Sequence, residues 1–520
     1  MSEQKIPEIT YATVGLADEA FHSQFEQAAE DVLKTFGKHH PHYIRGKEIK
    51  SEEEFASTSP CDTSLVLGYF QKGGAKEARR ALNAARAAFP KWRATPYRKR
   101  ADIMRRAADI VTQRAHEIAA VLSYETGKNR LEAFGEVGET TALMRYYAKQ
   151  VEDAQGFVHR MGSDTEDVVS VLRPYGVWAV ISPFNFPIAL AAGMSTGVLV
   201  TGNTAVFKPS SDVPLSGLYL YQAFREAGVP PAAFNFLTGP GKDVERVILK
   251  NVDGIAFTGS LEAGLRLYNK FSKDYPRPCV TEMGGKNPAI VMESADLEAA
   301  AEGAMRSAFG LTNQKCSACS RVYVHRSVEK EFLEKLLEKT RNVKVGDTIK
   351  RETFMGPVIN AKARDNFAGY VETLKRDGKI VHGGGLLKDP PYDKGYFVQP
   401  TVVTDVPLDH ELFFHEMFVP IVMVGVVDSL KQAVKLSNEA KYGLTAGLFT
   451  RDEKDIEYFF DNIQTGTVYV NRRAGATTGA WPGVQSFVGW KGSGSTGKGG
   501  CGPYYVQQFL REHSRTIAKG

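Results

Sequence analysis

The 520-residue sequence has little cysteine: Cys61, Cys279, Cys316, Cys319 and Cys501 are its only thiols. An odd, sparse set is no disulfide scaffold and fits a reducing compartment, so a cytoplasmic location is expected. Apolar stretches are broken by Gly, Pro or polar residues well before a bilayer's width. The start, Met1-Ser2-Glu3-Gln4-Lys5, is followed by acidic residues and no apolar h-region, so no signal peptide is expected. Charge of one sign is also missing. The 65 basic and 60 acidic residues leave a formal +5, which gives no case for nucleic acid or a membrane surface. The dinucleotide fingerprint G-x-G-x-x-G does not occur. No internal repeat is visible, and no disordered block beyond the first few residues.

What remains is a soluble, globular composition, 43% hydrophobic and 24% charged, with length enough for two or three domains. Helical spacing predicts helices over 76–89 and 97–126, with Ile103, Ala107, Ile110 and Val111 on one face. From residue 177 short β-rich runs alternate with helical ones. Strands are expected at Val177–Ser182, Thr204–Lys208, Phe234–Leu237 and Ile255–Thr258, and helices near 187–201, 213–227, 241–250 and 261–272. This is the pattern of βαβ units and a parallel sheet. A second alternation follows Gly285, with strands at Ala289–Met292 and Val322–His325 and helices near 296–309 and 327–342. Two α/β domains with a seam near Gly285 are expected. The stretch from Lys491 to Gly502 is Gly-rich and shows no regular pattern.

Several residues carry chemistry. Cys316 and Cys319 form a C-x-x-C: a redox pair, half of a zinc site, or one nucleophile beside an incidental neighbour. No second Cys or His pair lies near, so no metal is expected. Cys316 falls between a helix end and a strand start, where loops expose side chains, and Lys315 next to it would favour a thiolate. Two buried, inert thiols are the competing reading. Glu282, followed by Gly284 and Gly285 at the seam, is a candidate base; a solvated or capping Glu is the alternative. Asn185, flanked by aromatics and prolines, can offer a fixed amide to an oxyanion, or be a turn Asn. Lys208, Ser210 and Ser211 follow a strand and could grip a ribose or phosphate. Gly259 and Gly264 would let a pyrophosphate approach a helix N-terminus. Gly492-Ser493-Gly494-Ser495-Thr496-Gly497-Lys498-Gly499 nearly matches a P-loop, but Gly499 stands where the Mg²⁺-binding hydroxyl belongs, and the flanking strand and helix are missing.

Taken in order, Ser182-Pro183-Phe184-Asn185-Phe186-Pro187, Phe207-Lys208-Pro209-Ser210, Phe257-Thr258-Gly259-Ser260, Glu282-Met283-Gly284-Gly285-Lys286, Gln314-Lys315-Cys316-Ser317-Ala318 and Glu416-Met417-Phe418-Val419-Pro420 resemble the aldehyde dehydrogenase superfamily over nearly the whole chain. The interval from Glu282 to Cys316 is also the family's. The resemblance implies an α/β fold with a Rossmann-like parallel-sheet cofactor domain (1–156 and 176–285), an α/β catalytic domain (286–488) and a small β oligomerisation element (157–175 and 489–520). It implies Cys316 as nucleophile, Asn185 with the Cys316 N–H as oxyanion hole, and Glu282 as base for the deacylating water. It implies NAD or NADP as cofactor, held by Ser182, Pro183, Phe184, Lys208, Ser210, Ser211, Gly241, Thr258, Gly259, Ser260, Gly264, Met283, Glu416 and Phe418. It also implies a homo-oligomer, a dimer or assembly of dimers.

Within the superfamily, Lys315-Cys316-Ser317-Ala318-Cys319-Ser320-Arg321 is most similar to the branch that oxidises L-glutamate γ-semialdehyde to L-glutamate. That similarity implies Lys315 and Ser317 on the substrate carboxylate with the backbone of Gly475 and Ala476. Glu139 would meet the substrate ammonium, and Phe184 and Phe487 would wall its aliphatic middle. Asn313, Val419 and Val488 stand where Gly is usual, and Ser486 where Pro is usual. The alternatives are a dehydrogenase of another aldehyde, a CoA-acylating relative, against which Glu282 argues, and a non-catalytic crystallin-like scaffold.

Overall fold

The computed structural model describes residues 18–519, apart from the side chains at 241–243. Two seven-stranded sheets carry it. In the first the order is Cys279–Glu282, Gly254–Thr258, Val177–Ile181, Thr204–Lys208, Phe234–Phe236, His42–Ile44, Lys47–Ile49. The first five are mutually parallel, and the last two add an antiparallel edge. Helices Ala189–Val200, Pro214–Glu226, Gly241–Asn251 and Leu261–Phe271 make the crossovers. Covered on both faces, the central strands are near-continuously buried, as parallel strands are.

Met283-Gly284-Gly285-Lys286 alone separate Cys279–Glu282, at the edge of the first sheet, from Asn287–Val291 in the second. The second sheet runs Lys379–His382, Thr401–Thr404, Ile421–Val427, Cys319–His325, Asn287–Val291, Thr445–Phe449, Thr467–Val470, parallel except at its first strand.

The expected helix 97–126 is two, Tyr97–Gln113 and Ala115–Thr126, broken at Arg114. The helix Arg130–Asp153 was not expected. Its buried face mixes Glu136, Gly135 and Thr140 with Phe134, Val137, Leu143 and Tyr147, so no clean apolar stripe marks it. In a third sheet the C-terminal strand Leu510–Ala518 pairs with Glu166–Pro174 in unbroken register, and Glu166–Pro174 pairs with Val158–Gly162.

Candidate active site

In a parallel sheet, ligands gather beyond the carboxyl ends of the strands where the strand order reverses. Here the chain moves outward from Val177–Ile181 to Thr204–Lys208 and Phe234–Phe236, then returns to Gly254–Thr258 on the other flank. Ser182, Pro183, Phe184 and Asn185 leave one side of that crevice, and Gly259 and Ser260 leave the other. The Ser260 hydroxyl caps Leu261–Phe271, accepting from the Ala263 N–H at 3.3 Å. A Cβ on Gly259 would press into the Phe257 ring and one on Gly264 into Met283, so bare backbone lets this helix N-terminus seat against the sheet.

Polar atoms around the crevice fit a nucleotide ligand. The Ser182 hydroxyl is buried with no hydrogen-bond partner among the described residues. Lys208 Nζ donates to the carbonyl of its neighbour Pro209 at 3.3 Å, and burial lowers its ammonium to about 8. Ser210 Oγ donates to Asp212 at 3.3 Å and Ser211 Oγ to the Gly239 carbonyl at 3.2 Å. Thr258 Oγ1 donates to the Met194 sulfur at 3.6 Å. Gly241 opens the helix Gly241–Asn251; its surroundings lie outside the described residues. Across the seam, Glu416 Oε1 accepts from the Gly285 N–H at 2.9 Å, and burial raises its carboxyl to about 7. Phe418 meets Phe184 edge to face at 5.8 Å.

Cys316 sits in the loop between the helix Leu297–Phe309 and the strand Cys319–His325. Leu311, Thr312 and Asn313 hold φ of 45°, 58° and 62°, three successive left-handed residues, which β-branched Thr rarely tolerates. Thr312 Oγ1 donates to the Gly356 carbonyl at 3.0 Å, and Asn313 Nδ2 to the Ala308 carbonyl at 2.8 Å. Burial, then the carboxylates of Glu416 and Glu282, push the Cys316 thiol well above its ordinary range. Lys315, expected to favour a thiolate there, binds Glu132 through Nζ at 2.5 Å. Cys319 is wholly buried, and its thiol donates to the Arg321 carbonyl at 3.4 Å.

One cavity joins these groups. Cys316, Glu282, Glu139, Lys315, Ser317 and Phe487 line it, with Leu143, Tyr147, Phe186, Thr478, Gly479 and Ala480. Asn185, 4% exposed, stands beside Phe186 in the segment that enters Ala189–Val200 and has no side-chain hydrogen bond among the described residues. Burial raises Glu282 to about 7, opposed by the Gly500 N–H, which donates to its Oε1 at 2.9 Å. Gly500 belongs to the Gly-rich stretch in which sequence patterning found no structure. That stretch is a strap: Ser493 O accepts from the Met283 N–H at 2.9 Å, and Ser493 Oγ bridges the Gly443 N–H and the Gly284 carbonyl.

The Aldehyde dehydrogenase family model matches residues 48–514. The chain belongs to the aldehyde dehydrogenase family. It is 35% identical to a 1-pyrroline-5-carboxylate dehydrogenase of Geobacillus sp. (strain WCH70), over 96% of this chain and 97% of the relative. It is 36% identical to the protein of that name from Bacillus cytotoxicus, over 94% of each. A crystal structure of 1-pyrroline-5-carboxylate dehydrogenase from Thermus with bound NAD superposes with a TM-score of 0.92 at 34% identity, covering 96% of this chain and 97% of that one.

Two substrate-side expectations for this aldehyde dehydrogenase are corrected. Gly475 and Ala476 do not line the cavity: the Ala476 N–H donates to the Gly303 carbonyl at 3.0 Å and the Gly475 N–H to Arg472 at 3.3 Å. The next Gly-Ala pair, Gly479 and Ala480, lines it instead. Phe184 faces Phe418, and the aromatic wall opposite that expectation is Phe186, over whose ring Lys128 Nζ lies at 3.9 Å. The three departures from the family's glycines separate on backbone grounds. Asn313 sits at positive φ, where Asn is the best-tolerated residue after Gly. Val419 and Val488 are not among the positive-φ residues, so a side chain is accommodated at both.

Proposed function

We propose that the protein oxidises L-glutamate γ-semialdehyde, the open form of 1-pyrroline-5-carboxylate, to L-glutamate with NAD⁺ or NADP⁺ through a thioester on Cys316. The observation that carries this reading is the cavity itself. It holds a thiol and a carboxylate, Cys316 and Glu282, beside a second carboxylate, an ammonium and a hydroxyl, Glu139, Lys315 and Ser317. A substrate with an aldehyde at one end and an amino-acid group at the other matches both sets, with Leu143, Phe186 and Phe487 for its aliphatic middle.

Burial keeps Cys316 a thiol at rest, so its proton must go to a base before it attacks. Water in the cavity carries that proton out to solvent, and Glu282, held to about 7 by burial, is left half-ionised at neutral pH for the hydrolysis step. The thiolate adds to the aldehyde carbon, and the Asn185 amide with the Cys316 N–H receives the oxyanion. A nicotinamide bound beside Cys316 would supply the hydride acceptor that turns the tetrahedral adduct into the thioester. Glu282 then draws a proton from the water that hydrolyses it. Ser182, Lys208, Ser211 and the helix entered at Ser260 would hold the nucleotide, with Glu416 and Phe418 toward its nicotinamide end. Residues 1–156 with 176–285 would serve the nucleotide and 286–488 the chemistry. The hairpin 157–175 with 489–520 would join subunits, a role supported by the fully exposed strand Val158–Gly162. Steady-state kcat/KM across an aldehyde panel tests the substrate. A simple aliphatic aldehyde outperforming glutamate semialdehyde would refute it.

A further inference from the structure

We propose that Glu132 is a positioning residue that aims Cys316. It does so by binding the first residue of the left-handed turn before it and Lys315, which follows the turn. The proposal rests on the reading of Cys316 as nucleophile.

The helix Arg130–Asp153 places Glu132 under the catalytic loop. Its Oε2 accepts from the Leu311 N–H at 2.9 Å, at the start of the turn, and from Asn129 Nδ2 at 3.4 Å. Its Oε1 accepts from Lys315 Nζ at 2.5 Å, one residue before Cys316. The carboxylate thus spans Leu311 to Lys315. Both partners are sheltered: Glu132 is 15% and Lys315 12% exposed. Gly310 makes the approach possible, since a Cβ there would lie 2.9 Å from Glu132 Oε1 and 3.0 Å from Lys315 Nζ. Three successive residues at positive φ persist only where surrounding bonds over-determine them. Other anchors of the turn bind the side chains of Thr312, Asn313 and Gln314, whose Oε1 accepts from the Ile359 N–H at 2.9 Å. Glu132 binds both the turn's first N–H and the residue next to the thiol.

The test compares full-length wild type, Glu132→Ala and Glu132→Gln. The readouts are kcat, KM, NAD⁺ affinity by fluorescence, and the iodoacetamide alkylation rate of Cys316 by peptide mass spectrometry. Misplacing a reacting atom by about 1 Å costs about a hundredfold, so that loss in kcat is expected for Glu132→Ala, with NAD⁺ affinity unchanged. Alkylation should slow in parallel. Glu132→Gln keeps an acceptor for the Leu311 N–H and loses the charge facing Lys315, so it should recover part of both. A folded Glu132→Ala with wild-type kcat and alkylation overturns the proposal, as does a loss matching only the unfolded fraction. If Glu132→Ala does not fold, Glu132→Gln decides by the same two readouts. Turnover surviving in Cys316→Ala would instead sink the nucleophile reading, and the alkylation comparison would still report on the clamp.

Discussion

The backbone N–H of Gly500 donates to Glu282 Oε1 at 2.9 Å, across 218 residues of sequence. This bond holds a carboxyl that burial has raised to about 7 inside the cavity that contains Cys316. The pH dependence of turnover follows from it. Below about 7 Glu282 is protonated and cannot accept a proton; above it the base is available. Steady-state kcat for the semialdehyde should rise with an acidic limb near 7. A flat profile between pH 6 and 8, on the order of one unit either side, would contradict the assignment of Glu282 as base.

Glu282→Gln should separate the two half-reactions. It keeps an acceptor for Gly500 and removes the proton acceptor for water. A pre-steady-state burst of NADH should survive, with turnover reduced by about 10²–10⁴, the usual contribution of a general base. Equal loss of burst and turnover would move the main role of Glu282 to the activation of Cys316.

The two cysteines of the C-x-x-C should behave differently. Cys316→Ala should abolish turnover and leave cofactor affinity intact. Cys319→Ala removes a buried thiol bonded to the Arg321 carbonyl. It should cost about 1 kcal/mol in stability, the scale of a small core truncation, and retain most activity. Thermal melts and kcat on the same samples check both.

Gly479 has φ of +105°, and a side chain there would strike the guanidinium of Arg472, which donates to the Gly479 carbonyl at 2.9 Å. Gly479→Ala should therefore raise KM for the amino-acid aldehyde by about tenfold or more, since a φ of this kind is strained in any L-residue. The KM for NAD⁺ should stay constant. Equal rises in both constants would place Gly479 outside the substrate subsite.

Placed by the adenosine ribose as proposed, Ser211 would bring no charge to repel a 2′-phosphate; its hydroxyl donates to the Gly239 carbonyl. Both cofactors are expected to work, with NAD⁺ preferred. Ser211→Glu should depress NADP⁺ use much more than NAD⁺ use through like-charge repulsion. Parallel loss with both cofactors would show that this position does not face the adenosine ribose.

The βαβ alternation was legible because buried parallel strands are short continuous apolar runs: Val177–Ile181 and Gly254–Thr258 need no tertiary knowledge to be found. The Cys316 loop was legible as a gap between a helix and a strand. The Gly-Ala pair that lines the cavity was not, because Ala474-Gly475-Ala476-Thr477-Thr478-Gly479-Ala480 contains Gly-Ala twice. Which copy faces the cavity depends on Gly303, whose carbonyl takes the Ala476 N–H from another part of the chain. The partner of Lys315 was hidden in the same way, since Glu132 lies 183 residues earlier on a helix with no apolar stripe.

The strap has a consequence for biosynthesis. Ser493, Ser495 and Gly500 clasp the segment bearing Glu282, and the cavity takes Cys501 and Tyr505 as walls. A chain emerging from the ribosome N-terminus first can assemble both sheets before these residues appear. Cys316 and Glu282 are then made before the wall that encloses them. The cavity is thus completed by residues that follow both sheets in the chain, and its closure waits until the strap has been made.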